Sequence, residues 1–286
     1  MNFEDEYPQD MTFVKESTKE YILMSDEQEV HCYYSKKKNN FKGTTIFFMQ
    51  GFGSGVYSWT DLWDELYSEF DLIVMDPREK ETIKLKKKSK CTIQRIALDI
   101  AETLHHFRVD EKNVFIIGSS IGASYIAHSV SKGWIKPRGC FFAGPSIKPR
   151  NPKFLLRLTF LFPNFIVDKL AKFVAGKYLQ NKVTEGFQRK VFFNRIEHID
   201  IGRWKQCISI SNWDASEDFK QMDSVVYIIR TTGDKYHELN STEEVKQLIT
   251  NSHIIDFPSY DYIHVKPGVK EFIGILKDYI HKIYSN

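Results

Sequence analysis

Short apolar runs alternate with helical patterns along most of this chain, and that alternation leaves few folds open to it. Thr44–Met49, Leu72–Met75, Val114–Ile117 and Cys140–Ala143 are nearly continuous in apolar residues, as parallel strands covered on both faces are. A second set, Val225–Ile229 and Ile254–Phe257, comes late in the chain. Tyr21–Met24 and Val30–Tyr34 flank the polar Ser25-Asp26-Glu27, which reads as a β-hairpin at a sheet edge. Helical spacing of apolar residues fills the intervals at Trp59–Phe70, Ile93–Phe107, Ala123–Ser131, Glu243–Ile249 and Val269–Ile283. The pattern predicts an α/β protein with a doubly wound, mostly parallel sheet and right-handed crossovers. At 286 residues, such a sheet fits within one domain.

The alternation fails from about Ser146 to Phe219. Phe154–Phe162 and Phe165–Tyr178 have apolar residues at helical spacing with Lys and Arg between them, and the segment is longer than a connecting loop needs. It predicts a helical cap, residues 146–219, inserted after the sixth strand into a core of residues 1–145 and 220–286. Between Ser146 and Lys205 stand thirteen Lys and Arg against four Asp and Glu. That stretch therefore carries +9, and with +3 for the whole chain the remainder carries −6. So small a total charge gives no ground for nucleic-acid binding. The basic segment, the run Lys84, Lys86, Lys87, Lys88 and Lys90, and 22 Phe suit contact with an anionic membrane surface or a hydrophobic acyl substrate. The four cysteines are scattered without a C-x-x-C pair, which predicts reduced thiols. With no signal-like N-terminus and no long apolar span, the expectation is a soluble, cytoplasmic protein.

Two motifs carry chemistry. Gly118-Ser119-Ser120-Ile121-Gly122 follows a strand pattern and opens a helical one, the context in which G-x-S-x-G forms a nucleophile elbow. A serine there sits on a tight turn, with the N–H groups and positive dipole end of the helix facing the point of attack. Gln50-Gly51-Phe52-Gly53-Ser54-Gly55 follows the strand Thr44–Met49. Its glycines let the backbone bend so that an N–H can face a developing oxyanion. No Gly-Lys-Ser/Thr follows, which excludes a phosphate-binding P-loop, and the spacing is not that of a dinucleotide fingerprint.

The order of strand, Gly-Phe-Gly loop, Trp59 helix, Asp76-Pro77-Arg78 and elbow resembles the α/β-hydrolase superfamily, capped serine-hydrolase type, over roughly residues 20–284. The resemblance implies a nucleophile at Ser120 and oxyanion donors in the backbone N–H groups of Phe52 and Ile121. It implies a triad carboxylate at Asp234, after the next-to-last strand, and a histidine after the last strand, where His264 is the candidate. The text departs from the family in three places. Gln50 stands where His often precedes the oxyanion glycine, Glu79 follows Asp76-Pro77-Arg78 where glycine is usual, and the usual histidine position is occupied by Tyr262. His237, three residues past Asp234, is either a substitute partner or an exposed side chain.

These residues imply a serine hydrolase cleaving an ester or related acyl bond, needing no metal or organic cofactor. An acyltransferase or a carbon–carbon bond hydrolase would use the same residues. A binding protein that kept the fold and lost the base, of the maspardin type, is the alternative from another class.

Overall fold

The computed structural model describes residues 11–37, 40–80, 82–86, 88–148, 159–182, 186–197, 200–231 and 239–285. Eight strands form one sheet: β1 (Thr18–Leu23), β2 (Glu29–Ser35), β3 (Thr45–Met49), β4 (Asp71–Met75), β5 (Val114–Ser119), β6 (Gly139–Ala143), β7 (Val225–Thr231) and β8 (Ser252–Phe257). Their spatial order is β1-β2-β4-β3-β5-β6-β7-β8. The first two strands form the antiparallel hairpin, β2 pairs antiparallel with β4, and the remaining pairs are parallel.

Alternate residues of the central strands feed two separate cores. Phe47, Met49, Ile116, Phe142 and Ile228 pack with α3 (Ile93–His106) and α4 (Ile121–Ser131). Ile46, Phe48, Phe115, Ile117, Phe141 and Ile229 pack on the other face with α2 (Thr60–Glu69) and α10 (Gly268–Ser285). Because both faces are covered, strands such as Val114–Ser119 are buried throughout, which is why they read as unbroken apolar runs. A short α1 (Thr12–Glu16) begins the described chain, with the Asp64 carboxylate accepting from the Thr12 and Phe13 N–H groups at 3.1 and 2.7 Å.

After β4 the chain is fixed by a buried ion pair. The Arg78 guanidinium donates to Asp99 on α3 at 2.6 and 2.8 Å and to Asp26 in the hairpin turn at 2.6 and 2.8 Å. A fork satisfied by two carboxylates is the arrangement in which a buried arginine is tolerated.

Between β6 and β7 lie α5 (Asn164–Lys182), α6 (Gly186–Glu197), α7 (Ile201–Gln206) and α8 (Ser216–Lys220), preceded by a helical turn at Thr159–Leu161, and α9 (Leu239–Leu248) lies between β7 and β8. Of the sequence-predicted helix Phe154–Phe162, residues 154–158 lie outside the described residues, and the rest is this turn with its exit. The Phe-rich stretch also differs from a pocket lining. Phe160, Phe162, Phe165 and Phe173 face solvent, whereas Phe187 and Phe192 of α6 are buried.

Cysteine pairing corrects the sequence expectation. Cys91, just before α3, and Cys207, just after α7, form a disulfide with a Cα–Cα separation of 4.9 Å. Only Cys32 and Cys140 are free, both buried in the core. The partners are 116 residues apart in sequence, so their meeting depends on how the inserted helices fold back. No described helix is long and apolar enough to cross a membrane.

Candidate active site

β5 ends at Ser119 and α4 begins at Ile121, so Ser120 alone makes the turn. It does so at φ 53° and ψ −122°, a region that costs a non-glycine residue about 1–3 kcal/mol and persists only where the surroundings enforce it. Here they do. The Ser120 N–H donates to the Ala143 carbonyl at 2.9 Å, and its carbonyl accepts from Ala123 at 3.2 Å and Ser146 at 3.3 Å. The flanking glycines are required by close approach. A Cβ on Gly118 would stand 2.5 Å from Ile126 Cδ1 and 3.0 Å from Ala123 Cα, and one on Gly122 would stand 2.6 Å from the Met49 carbonyl oxygen.

The glycine loop after β3 packs directly on this turn. A Cβ built on Gly51 would lie 3.1 Å from both Ser120 Cβ and the Ser119 carbonyl oxygen. Phe52, the next residue, is half-buried, and its ring meets Trp204 of α7 edge-on at 5.4 Å. Ile121 is the first residue of α4, so its N–H has no acceptor within the helix. Gln50, before the loop, donates from Nε2 to Asp76 Oδ1 at 2.8 Å, while His31 Nδ1 and Thr82 Oγ1 approach Asp76 Oδ2 at 2.9 and 2.8 Å. Asp76 thereby ties β2, the end of β3 and the loop after β4 into one network.

A buried lysine after Arg78 reaches the same loop. Lys80 Nζ donates to the Gly51 carbonyl at 3.0 Å and to the Ser54 carbonyl. The Gly51 carbonyl belongs to the peptide that carries the Phe52 N–H. A cation on the oxygen of a peptide fixes its plane and strengthens its N–H as a donor. Glu79 beside it is buried, with neither carboxylate oxygen hydrogen-bonded among the described residues. Desolvation pushes its pKa up to about 7, against the pull of the Lys80 ammonium.

His264 is buried in the segment after β8, reached through a helical turn at Asp261–Ile263. Its ring lies between Trp59, stacked at 4.1 Å, and Tyr260, stacked at 3.8 Å. Nδ1 is 2.8 Å from the Tyr260 carbonyl oxygen. A carbonyl only accepts, so Nδ1 carries a proton, and a neutral ring held this way has its lone pair at Nε2. Tyr262, at the family's usual histidine position, instead donates its hydroxyl to Glu271 on α10. Asp234 and His237 lie outside the described residues.

The helices between β6 and β7 touch these elements through α6 and α7. Asp261 caps α6, accepting from the Phe187 N–H at 3.2 Å. Phe187 lies 6.3 Å from the His264 ring. Arg203 on α7 donates to the carbonyls of Lys80 and, at 2.8 Å, Ile83.

No protein-family model and no curated protein matches this sequence. Solved structures match its fold over nearly the whole chain. An esterase from Exiguobacterium antarcticum superposes with a TM-score of 0.73 at 13% identity, covering 92% of this chain and 100% of its own. An esterase from a Rhodococcus species gives 0.72 at 14% identity, covering 93% and 99%. An enol-lactonase from Burkholderia xenovorans gives 0.66 at 12% identity, covering 93% and 100%. This chain has the α/β-hydrolase fold. Ser120 stands at the turn between β5 and α4 in this sheet. The structure brings the elbow and the Gly51-Phe52 loop together; it sets His264 against Trp59 at the start of α2, beside α6. Sequence reasoning missed Lys80, Glu79 and the Tyr260 carbonyl. Glu79-Lys80 in place of a glycine was the only written sign of them.

Proposed function

We propose that this protein is a serine hydrolase acting on an ester or related acyl bond of a hydrophobic substrate. The observation that carries the reading is the enforced backbone at Ser120, a strained turn between two glycines that admit no side chain, against a loop with amide donors. Enforced strain of this kind clusters at active sites. Ser120 attacks the acyl carbonyl and His264 Nε2 receives its proton. The N–H groups of Phe52 and Ile121 hold the oxyanion, and the His264 imidazolium gives its proton to the alcohol that leaves as the acyl–oxygen bond breaks. Water, deprotonated by His264, then hydrolyses the acyl-enzyme as that proton passes back to the Ser120 oxygen.

In this reading the Tyr260 carbonyl selects the tautomer of His264, and Asp234 supplies the negative charge that stabilises the imidazolium. Helices α5–α8 act as the cap, and the half-buried Phe52 and Trp204 present apolar surface to the acyl chain. The test is turnover of a p-nitrophenyl ester series from acetate to octanoate. Ser120→Ala and His264→Gln should each lower kcat by about 10⁴-fold or more. Asp234→Asn should lower it less, because the Tyr260 carbonyl still holds the ring. Wild-type turnover no greater than that of Ser120→Ala would refute the proposal.

A further inference from the structure

Helix α5 turns its apolar face outward. Leu161 and Phe162, then Phe165, Ile166, Leu170 and Phe173, are exposed by 45–74%. Eight of the ten exposed large apolar side chains among the described residues fall between Phe160 and Val174. The spacing of Phe165, Ile166, Leu170 and Phe173 places them along one side of α5, and Leu161 and Phe162 stand in the turn just before it. An apolar strip of this size on a soluble surface marks a contact site.

The charges bordering the strip are mostly positive. Lys169 and Lys177 lie on the same face and are exposed. Lys177 Nζ sits 4.7 Å over the Phe173 ring, and Lys205 Nζ sits 5.5 Å over the Phe160 ring. The one acid of the helix, Asp168, is half-buried and accepts from the Ile201 N–H at 2.8 Å, which turns it toward α7. Glu197 and Asp200 are exposed at the junction of α6 and α7. A second copy of this chain would set like charges against like. Aromatic and aliphatic groups bordered by lysines match an anionic lipid surface, with rings at the acyl boundary and ammonium groups at the phosphates.

We propose that the α5 face docks this protein on anionic membranes, lying in the interface without crossing it. The inference does not depend on the hydrolase reading. Both would place the helices beside His264 and Phe52 at the surface from which an amphiphilic substrate would come.

The test is co-sedimentation with vesicles of phosphatidylcholine alone and of phosphatidylcholine containing about a third phosphatidylglycerol. The full chain should pellet with the anionic vesicles and be released by raised salt. Phe165→Glu/Leu170→Glu and Lys169→Glu/Lys177→Glu should each weaken binding by about tenfold or more, with thermal melts that remain cooperative. Wild-type protein left in the supernatant with anionic vesicles would overturn the proposal. So would variants that bind as wild type, or a wild-type dimer in light scattering that Phe165→Glu/Leu170→Glu converts to monomer.

Discussion

Adding one methyl group at Gly122 tests how tightly the elbow is built. Its Cβ would lie 2.6 Å from the Met49 carbonyl oxygen, 2.8 Å from that of Gln50 and 3.1 Å from the Gln50 carbonyl carbon. Carbon–oxygen contacts begin near 3.3 Å, so α4 and the end of β3 must part by roughly 0.5–0.7 Å. All three atoms are backbone, so no side chain can swing aside. Overpacking of this kind costs about 1–3 kcal/mol, and alanine returns about 1 kcal/mol of helix propensity. The net loss of about 0–2 kcal/mol lowers Tm by only a few degrees. The same movement separates Ile121 from the Gly51-Phe52 loop, and misplacement approaching 1 Å can cost about 10²-fold. Gly122→Ala should therefore lower kcat/KM for a p-nitrophenyl ester by roughly 30- to 100-fold while the circular dichroism melt stays nearly unchanged. Gly176→Ala on α5 is the control, since a Cβ there meets nothing within 4 Å, and it should be neutral or slightly stabilising. Full activity in Gly122→Ala at wild-type Tm would show that the elbow and loop need not be held this closely.

Other expectations follow from the buried groups. Lys80→Met should reduce kcat by about tenfold or more with little change in KM, because it frees the Gly51–Phe52 peptide; an unchanged kcat removes Lys80 from the site. Burial raises the Glu79 pKa from its ordinary 4.5 to about 7, so the folded state binds the extra proton between these values. That contribution to stability is complete below about pH 4.5 and is lost as pH rises through about 7. Tm should decline across that window in wild type and lose that component of its decline in Glu79→Gln; identical profiles would contradict the buried carboxyl. Alkylation of the unreduced, denatured chain should label only Cys32 and Cys140, and labelling of all four without reductant would contradict the Cys91–Cys207 pair.

What was legible in the sequence was whatever depends on near neighbours. Val114–Ser119 and the other central strands are buried on both faces, so their apolar runs needed no knowledge of partners. Ser120 was legible because the two glycines, the strand and the helix of its turn lie within a few residues. The inserted helices were harder. Apolar spacing marks a helical face without saying where it points, and on α5 that face points to solvent. Cys91 and Cys207 meet only through the return of α7, a contact that no local pattern encodes. The same holds for Lys80 Nζ on the Gly51 carbonyl. His264 stands two residues beyond the position that the resemblance implies, and what holds its ring, the Tyr260 carbonyl and the stacked rings of Trp59 and Tyr260, is not written in any local pattern.

The most direct measurement is the reaction of the folded protein with a fluorophosphonate probe, with the adduct mapped by peptide mass spectrometry. A stoichiometric adduct on Ser120, absent in Ser120→Ala and slowed at least about a hundredfold in His264→Gln, is the predicted result. A folded protein that stays unlabelled, or that is labelled equally in Ser120→Ala, would contradict a nucleophile at the elbow.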